Sequence, residues 1–332
     1  MTNEKSQSKG KATGVARARQ TAVPQEMQAA AIAKFGPPNV LELRTLAVPQ
    51  PGPQDVLIEV HGAGVGIWDA FVSEGDWLPK GQLVPGIDGA GVVVARGTQA
   101  QHFALGDQVY GYSLGGFYAQ YNVVTEDSVA HIPRGFDMLH AAAAPVPGLT
   151  ALQGIEDHLQ VKSEEVVLIL GGTGSVGSVA IQLAHAKDAR VIATASSAEA
   201  RKFAHNLGAD YTIDARSPDA LEQLRAIVPE GIDAALVLFG GANVESLLDF
   251  VKAGGRIAYP NGVEPPPKER PNVRITAYDG KPGKKEFAEL ERAIEEAKLQ
   301  VPIAAVYDLA QAPEAHKRIL QGNVLGRIVL RI

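Results

Sequence analysis

The sequence contains no cysteine. That absence excludes disulfides, thiolate metal sites and cysteine nucleophiles, and it fits a cytoplasmic setting. No run approaches the ~20 apolar residues needed to cross a bilayer. A formal charge of −6 argues against general electrostatic capture of nucleic acid. Eight histidines are present, but they are scattered singly and read as surface or core residues rather than metal ligands. What remains is an ordinary globular composition, 45% apolar and 20% charged, with 35 glycines that imply tight turns and close backbone approaches. The length, 332 residues, suits two domains.

Residues 1–24 stand apart. They carry five Lys or Arg against one Glu and almost no large apolar side chain, so they read as a disordered basic tail. The tail lacks the apolar core of a secretory signal. An organelle-targeting or acid-binding role is the alternative.

From Gln25 short strands and glycine turns follow one another. Strands are expected at 28–35, 41–47, 55–65, 91–94, 108–112 and 119–124, a spacing that suggests a partly closed β-rich domain. Around His140 two helical pieces are expected, broken at Pro145 and Pro147. Beyond them strands and helices alternate, with strands at 165–170, 190–195, 211–213, 234–239, 255–259 and 273–277. The helices between them are expected at 175–187, 198–207, 220–227 and 244–251, the pattern of βαβ crossovers and a parallel sheet. Two more helices are expected at 284–298 and 312–320. The last strand, 326–332, has no crossover partner nearby and is expected to return to the β-rich domain. The resulting division is 25–146 plus 285–332 for the β-rich domain and 147–284 for the parallel one.

The sharpest motif runs Gly171-Gly172-Thr173-Gly174-Ser175-Val176-Gly177. Gly172, Gly174 and Gly177 satisfy G-x-G-x-x-G after an apolar strand and before a helix, the context that dinucleotide binding requires. Gly172 is read as permitting the tight turn, Gly174 the approach of a pyrophosphate, and Gly177 close packing of helix on strand. Free N–H groups at the helix start would meet the phosphates. The plain alternative is a glycine turn without ligand.

The second strand of an NAD-type site ends near an Asp or Glu that binds the ribose 2′-hydroxyl. Here it ends at Ser196 and Ser197, with Arg201 and Lys202 close behind. Hydroxyls and a guanidinium would accept a 2′-phosphate, so NADPH is the expected cofactor. The alternative is that Ser196 merely caps the next helix and Arg201 is a solvated surface charge.

At this point the chain resembles the zinc-independent quinone oxidoreductase (zeta-crystallin-like) branch of the medium-chain dehydrogenases/reductases. The resemblance runs from about residue 27 to the C-terminus. It rests on the order and spacing of 84–93 (VPGIDGAGVV), 106–111 (GDQVYG), 115–119 (GGFYA), 147–151 (PGLTA), the glycine loop, 254–256 (GGR) and 326–330 (GRIVL). It implies an α/β fold: a GroES-like β-rich N-terminal domain plus a Rossmann doubly wound parallel sheet, with a cleft between them. It further implies that Thr150 lies near the nicotinamide, and that Ser196, Ser197, Arg201 and Tyr211 surround the adenine ribose phosphate. Phe239, Gly240, Asn261 and Gly262 would lie along the nicotinamide ribose. Relatives form homodimers or tetramers, often through the Rossmann sheet edge.

The zinc-dependent branch is distinguished by residues this chain lacks. Gly86-Ile87-Asp88 stands where those enzymes have Gly-His-Glu, and no cysteine exists for the remaining ligands. Without a Lewis acid, alcohol oxidation is not expected. Two further departures concern the substrate loop. Gly66 replaces an Asn that relatives use to orient substrate or cofactor. Phe71 and Trp77 stand where relatives often carry tyrosines, which removes phenolic donors and makes the pocket more apolar.

These residues imply hydride transfer from NADPH to a quinone, or to an α,β-unsaturated carbonyl in the same cleft. Trp68, Asp69, Phe71 and Trp77 are the candidate pocket residues. Plain core packing is the alternative for Trp68 and Phe71, and a structural cap for Asp69. No general acid is assigned. The remaining reading is a weakly catalytic NADPH-binding sensor or partner protein, which the loss of the Asn at Gly66 keeps open.

Overall fold

A computed structural model describes residues 23–75 and 84–332. Residues 1–22 of the expected basic tail and Trp77 lie outside the described residues.

The chain opens with β1 (Glu26–Ile32) and β2 (Leu41–Ala47), which pair antiparallel from Glu26 opposite Ala47 to Ile32 opposite Leu41. Then come β3 (Asp55–Val65), α1 (Ile67–Glu74), β4 (Asp88–Arg96), β5 (Gln108–Tyr112), β6 (Tyr121–Thr125) and β7 (Val129–His131). Helices α2 (Met138–Ala143) and α3 (Pro145–Gln153) lead into the second half. Its strands are β8 (Val166–Leu170), β9 (Arg190–Thr194), β10 (Tyr211–Ile213), β11 (Ile232–Val237), β12 (Val251–Pro260) and β13 (Arg274–Tyr278). Between the first five of them lie α4 (Ser175–Ala186), α5 (Ala198–Asn206), α6 (Ala220–Ile227) and α7 (Ala242–Leu248). The chain closes with α8 (Lys284–Ala297), β14 (Ile303–Asp308), α9 (Ala312–Leu320) and β15 (Arg327–Arg331).

The second half forms one parallel sheet in the order β10-β9-β8-β11-β12-β13. The central strand β8 reads VVLIL and is buried along its whole length, as a strand with helices on both faces must be. Strand order reverses between β8 and β11, so their C-terminal ends open the crevice in which such sheets bind ligands. The β-rich half is a second sheet in the order β14-β15-β3-β4-β5-β7, with β6 on β3. As expected, the C-terminal β15 returns to it, antiparallel to β3.

Several boundaries differ from the sequence reading, each for a local reason. The two helices around residue 144 part at Ala144. Pro145 opens α3 and Pro147 sits in its first turn, where a missing N–H costs nothing. The expected strand over 119–124 begins at Tyr121, and Ala119 makes only an isolated bridge to Ala29. The helix expected over 244–251 ends at Leu248 because Val251 already belongs to β12. Three elements were not foreseen, among them the short strand β7 (Val129–His131) on β5. Helix α1 follows β3 directly, and β14 (IAAVYD) alternates in burial as an edge strand parallel to β15.

Candidate functional site

The glycine loop joins β8 to α4, a helix of 12 residues. The left-handed residue of the turn is Gly171, with φ +91°, not Gly172. Gly172 serves packing instead: a Cβ there would lie 2.8 Å from the Cβ of Ala193 on β9. A side chain at Gly177 would overlap the Gly171 carbonyl, so the first turn of α4 seats directly on the end of β8. Gly174 differs from both. A Cβ there would meet nothing nearer than the Gly171 oxygen at 3.5 Å, so its outer face is open. Thr173, Ser175 and Val176 around it are half-buried. The first N–H groups of α4 have no intrahelical acceptor. Open backbone, a helix N-terminus and close packing beneath it together fit the pyrophosphate of a dinucleotide.

Beyond β9, Ser196 is half-buried and Ser197 exposed. Ser197, not Ser196, caps α5, accepting a hydrogen bond from the Ala200 N–H at 3.1 Å. That leaves the Ser196 hydroxyl outside the cap. Arg201 and Lys202 are exposed on the first turns of α5. Tyr211 accepts a hydrogen bond from Arg190 at 3.0 Å, and the Arg190 guanidinium lies over its ring. Arg190 and Tyr211 are the first residues of the parallel strands β9 and β10, so this pair lies at their N-terminal ends, whereas Ser196, Ser197 and Arg201 follow the C-terminal end of β9. The fold does not bring Tyr211 to the expected phosphate group.

Phe239 and Gly240 follow β11. Phe239 is partly exposed beside the glycine turn, 3.4 Å from where a Gly171 Cβ would stand. Asn261 and Gly262 follow β12, and the Asn261 N–H donates to the Tyr278 carbonyl at 2.8 Å. Thr150 is buried in α3, where its carbonyl accepts from the Tyr278 hydroxyl at 2.9 Å. A Cβ at Gly280 would lie 2.6 Å from the Thr150 hydroxyl, so the segment after β13 closes onto this helix.

The two halves meet here. Trp68 of α1 lays its indole on Gly262, whose φ of +86° admits no ordinary side chain and whose missing Cβ the ring occupies. Phe71 meets Trp68 edge-on, with ring centroids 6.0 Å apart. Trp68 is thus not plain core: it bridges the β-rich half to the loop after β12. Asp69 is buried and its carboxylate is engaged. One oxygen accepts from the Gly66 N–H at 2.8 Å, which is the capping alternative. The other accepts from Gly86 and Ile87, each at 3.2 Å.

A buried ionic cluster underlies this junction, and the sequence reading missed its centre. Arg327, at the start of β15, pairs with Asp88 at 2.6 Å, and both side chains are buried. The other Asp88 oxygen accepts from the Val146 N–H at 2.9 Å, at the head of α3. The residue before, Gly326, donates to the Thr173 carbonyl at 2.9 Å and bridges Gly174. One strand start therefore ties together the glycine loop, the head of α3 and the junction of β3 with α1, where the substrate loop was expected. Burial pushes the Asp69 carboxyl up to about 6, against the opposing pull of Arg327 and the Gly66 N–H. Asp88 is raised by the same desolvation. The cluster also accounts for Gly66. A Cβ there would lie 3.0 Å from an Arg327 nitrogen and 3.6 Å from Asp69, so the amide side chain of relatives would crowd the guanidinium. The signal was legible in principle: β15 places an arginine at the head of an otherwise apolar run, IVL.

A second buried pair lies behind the cluster. His316 of α9 contacts the Tyr118 hydroxyl at 3.2 Å, and burial pulls its imidazole down to about 4. The folded state thus holds His316 neutral over a range where the unfolded chain protonates it. This group's contribution to stability is lost as pH falls from its ordinary value near 6.5 to 4. Asp69 acts in the opposite sense, since its folded form keeps a proton that the unfolded chain releases between 3.8 and 6. His316→Gln should therefore melt at progressively higher temperature relative to wild type as pH is lowered from 7 to 4. The difference would grow by about 3 kcal/mol at most. A constant offset in thermal melts across that range would refute the assignment.

Among the described residues no group of three or more His, Asp or Glu could hold a metal ion, and no helix is long and apolar enough to cross a membrane.

Residues 52–134 match the alcohol dehydrogenase GroES-like domain, and residues 207–330 match the zinc-binding dehydrogenase domain. The quinone oxidoreductase of Homo sapiens is 31% identical over 322 residues, covering 92% of this chain and 97% of that protein. The structure of the quinone oxidoreductase from Coxiella burnetii superposes with a TM-score of 0.82 at 28% identity, covering 92% of this chain and 99% of that one. A mycobacterial protein whose structure was solved in complex with NADPH gives 0.84 at 27% identity, covering 92% and 100%.

Proposed function

Because the chain belongs to the quinone oxidoreductase family of the medium-chain dehydrogenases/reductases, it is an NAD(P)-dependent oxidoreductase, and we propose that it uses NADPH to reduce a quinone. The observation that carries the reading is the open Gly174 face at the head of α4, next to a second strand, β9, that is followed by Ser196 rather than a carboxylate. When bound, the nicotinamide ring supplies a hydride. The glycine loop and α4 hold the pyrophosphate. The Ser196 hydroxyl and the guanidinium of Arg201 favour the extra 2′-phosphate. Ser197 supports α5 through its cap, and Tyr211 shares its hydroxyl with Arg190. Thr150, Phe239, Gly240 and Asn261 line the approach to the nicotinamide end. Trp68 and Phe71 form the apolar wall that suits a flat acceptor, and Trp77 belongs to the same expectation. Asp69 fixes the backbone of this wall rather than meeting the acceptor.

No zinc enters this reading: Ile87 stands at the position of a histidine ligand, and the chain has no cysteine. Reduction of α,β-unsaturated carbonyls is the second reading, since the same apolar wall accepts an enone. The domain division at 146/147 and 284/285 and a homo-oligomer built on the edge strand β13 belong to the same proposal.

Steady-state NADPH oxidation with a quinone panel beside an enone panel tests the function. Turnover of quinones is expected, turnover of enones alone selects the second reading, and tight NADPH binding without turnover rejects both. Ser196→Asp tests the cofactor. It should raise KM for NADPH relative to KM for NADH by about 10–100-fold, the loss of one charge-assisted hydrogen bond. Equal changes for both dinucleotides would count against the assignment.

A further inference from the structure

The hydroxyl of Tyr112 is a second chemical feature of the cleft. Tyr112 ends β5 and stands directly opposite Asp88 of β4. Directly opposed residues project to one face of the sheet. That face is fixed by Asp88, whose carboxylate reaches Arg327 and the Val146 N–H at the head of α3. It is fixed again by Tyr110, two residues earlier, whose ring packs edge-on against Phe287 of α8 with centroids 5.2 Å apart. Tyr112 thus points from the β-rich half toward the Rossmann half, half-buried, at the strand end nearest the cleft. Its other charged neighbours are Asp69 of α1 and Asp279, which follows β13, one residue before the Gly280 that abuts the Thr150 hydroxyl.

The other tyrosines of this region are excluded by their contacts. Tyr118 is spent on His316, Tyr278 on the Thr150 carbonyl and Tyr211 on Arg190, while Tyr110 is sealed in the core without a partner. Tyr112 alone among these five combines a place at the junction with a hydroxyl that no protein group engages among the described residues. Phe71 and Trp77 stand where relatives often carry phenols, and Tyr112 offers one from β5.

We infer that the Tyr112 hydroxyl is the hydrogen-bond donor to the carbonyl oxygen of the acceptor, an inference that rests on the reductase reading above. Hydride addition brings two electrons to the acceptor and leaves negative charge on its oxygen, and a proton from water completes the reduction. A phenol aimed at that oxygen stabilises the charge as it develops, and removal of one such donor costs about 100-fold or more in kcat. Tyr112 acts here as a donor and not as the proton source. Burial, reinforced by Asp88, Asp279 and Asp69, pushes its phenol up to about 12, so it stays protonated at neutral pH.

The test uses Tyr112→Phe, which keeps the ring and its packing, with Tyr110→Phe as the control for loss of a hydroxyl outside the cleft. In Tyr112→Phe, kcat for the best acceptor should fall about 100-fold while the NADPH Kd and the Tm stay at wild-type values. A second readout needs no turnover. 4-Nitrophenolate, a stable aromatic oxyanion, should bind the NADP⁺ complex about tenfold more weakly in Tyr112→Phe than in wild type or Tyr110→Phe, read from its visible absorbance. Wild-type kcat and wild-type nitrophenolate affinity in Tyr112→Phe would overturn the inference, as would a wild-type protein that does not bind nitrophenolate. Wild type that reduces no acceptor yet loses nitrophenolate binding with Tyr112 would sink the reductase reading and leave the donor assignment standing.

Discussion

Gly174→Asp should weaken binding of both NADPH and NADH by about 100-fold or more, a loss of roughly 2.7 kcal/mol, while the unliganded protein melts no lower than wild type. The two halves of this expectation have separate causes. Gly174 caps α4 with φ −75° and ψ 178°, extended backbone that aspartate adopts freely. Its Cβ would find open space, with only the Gly171 oxygen at 3.5 Å. Aspartate is also among the preferred residues at a helix N-cap, where its carboxylate accepts the free N–H groups of the first turn. The substitution therefore suits the fold. It ruins the site because the new carboxylate takes the N–H groups meant for phosphate and repels the diphosphate by charge. Isothermal titration beside thermal melts separates the effects. A variant that binds dinucleotide normally would remove the glycine loop from the cofactor site. Gly177→Ala makes the contrast, since its Cβ would overlap the Gly171 carbonyl and should cost stability as well as binding.

Arg327→Met should destabilise the protein by about 3–5 kcal/mol, the cost of leaving buried carboxylates without their cation. Methionine fills much of the volume, so the loss is electrostatic rather than a cavity. Arg327 pulls the carboxyls of both Asp88 and Asp69 down against desolvation, and without it both rise further. A raised carboxyl in the folded state means that the folded form binds more protons than the unfolded one, so stability falls as pH rises. The deficit of Arg327→Met should thus be larger at pH 8 than at pH 5. Adding Asp88→Asn should recover a substantial part, because the amide oxygen still accepts from the Val146 N–H while the uncompensated charge is gone. Denaturant titration of the single and double variants at the two pH values measures all three expectations. A single variant as stable as wild type at pH 8 would show that the pair contributes no net stability.

The two substituted positions meet at one strand start, since Gly174 bridges Gly326, the residue before Arg327. Gly326 holds the glycine loop and Arg327 packs beside Gly64 and Gly66, so the loops proposed for the cofactor and for the acceptor share a single backbone anchor. A change at Arg327 that spares the fold should still disturb both sites together.

The strands and helices around the nucleotide loop were legible because they depend on local rules. A fully apolar β8, a glycine turn and an amphipathic α4 each announce themselves within a few residues. Even the return of β15 could be read, since a lone strand without a crossover has nowhere to pair in a parallel sheet. The division of labour inside the glycine loop was not legible. Which glycine adopts positive φ and which merely clears Ala193 depends on how α4 seats on β8 and β9. The same holds for the serines after β9: either could cap α5, and the cap fell to Ser197 because α5 begins at Ala198.

Composition and local pattern alone determined that this chain has a parallel nucleotide-binding sheet, a β-rich partner domain, no cysteine chemistry and no carboxylate at the end of the second strand. Those properties are set by residues that are neighbours along the chain. Only tertiary structure decided the character of the cleft: Trp68 against Gly262, Asp88 with Arg327 across 239 positions, and Tyr112 facing the Rossmann half. These residues come from segments whose order along the chain says nothing about their distance. Burial then fixes their chemistry, because a charge or hydroxyl removed from water must be satisfied by whatever the fold brings beside it.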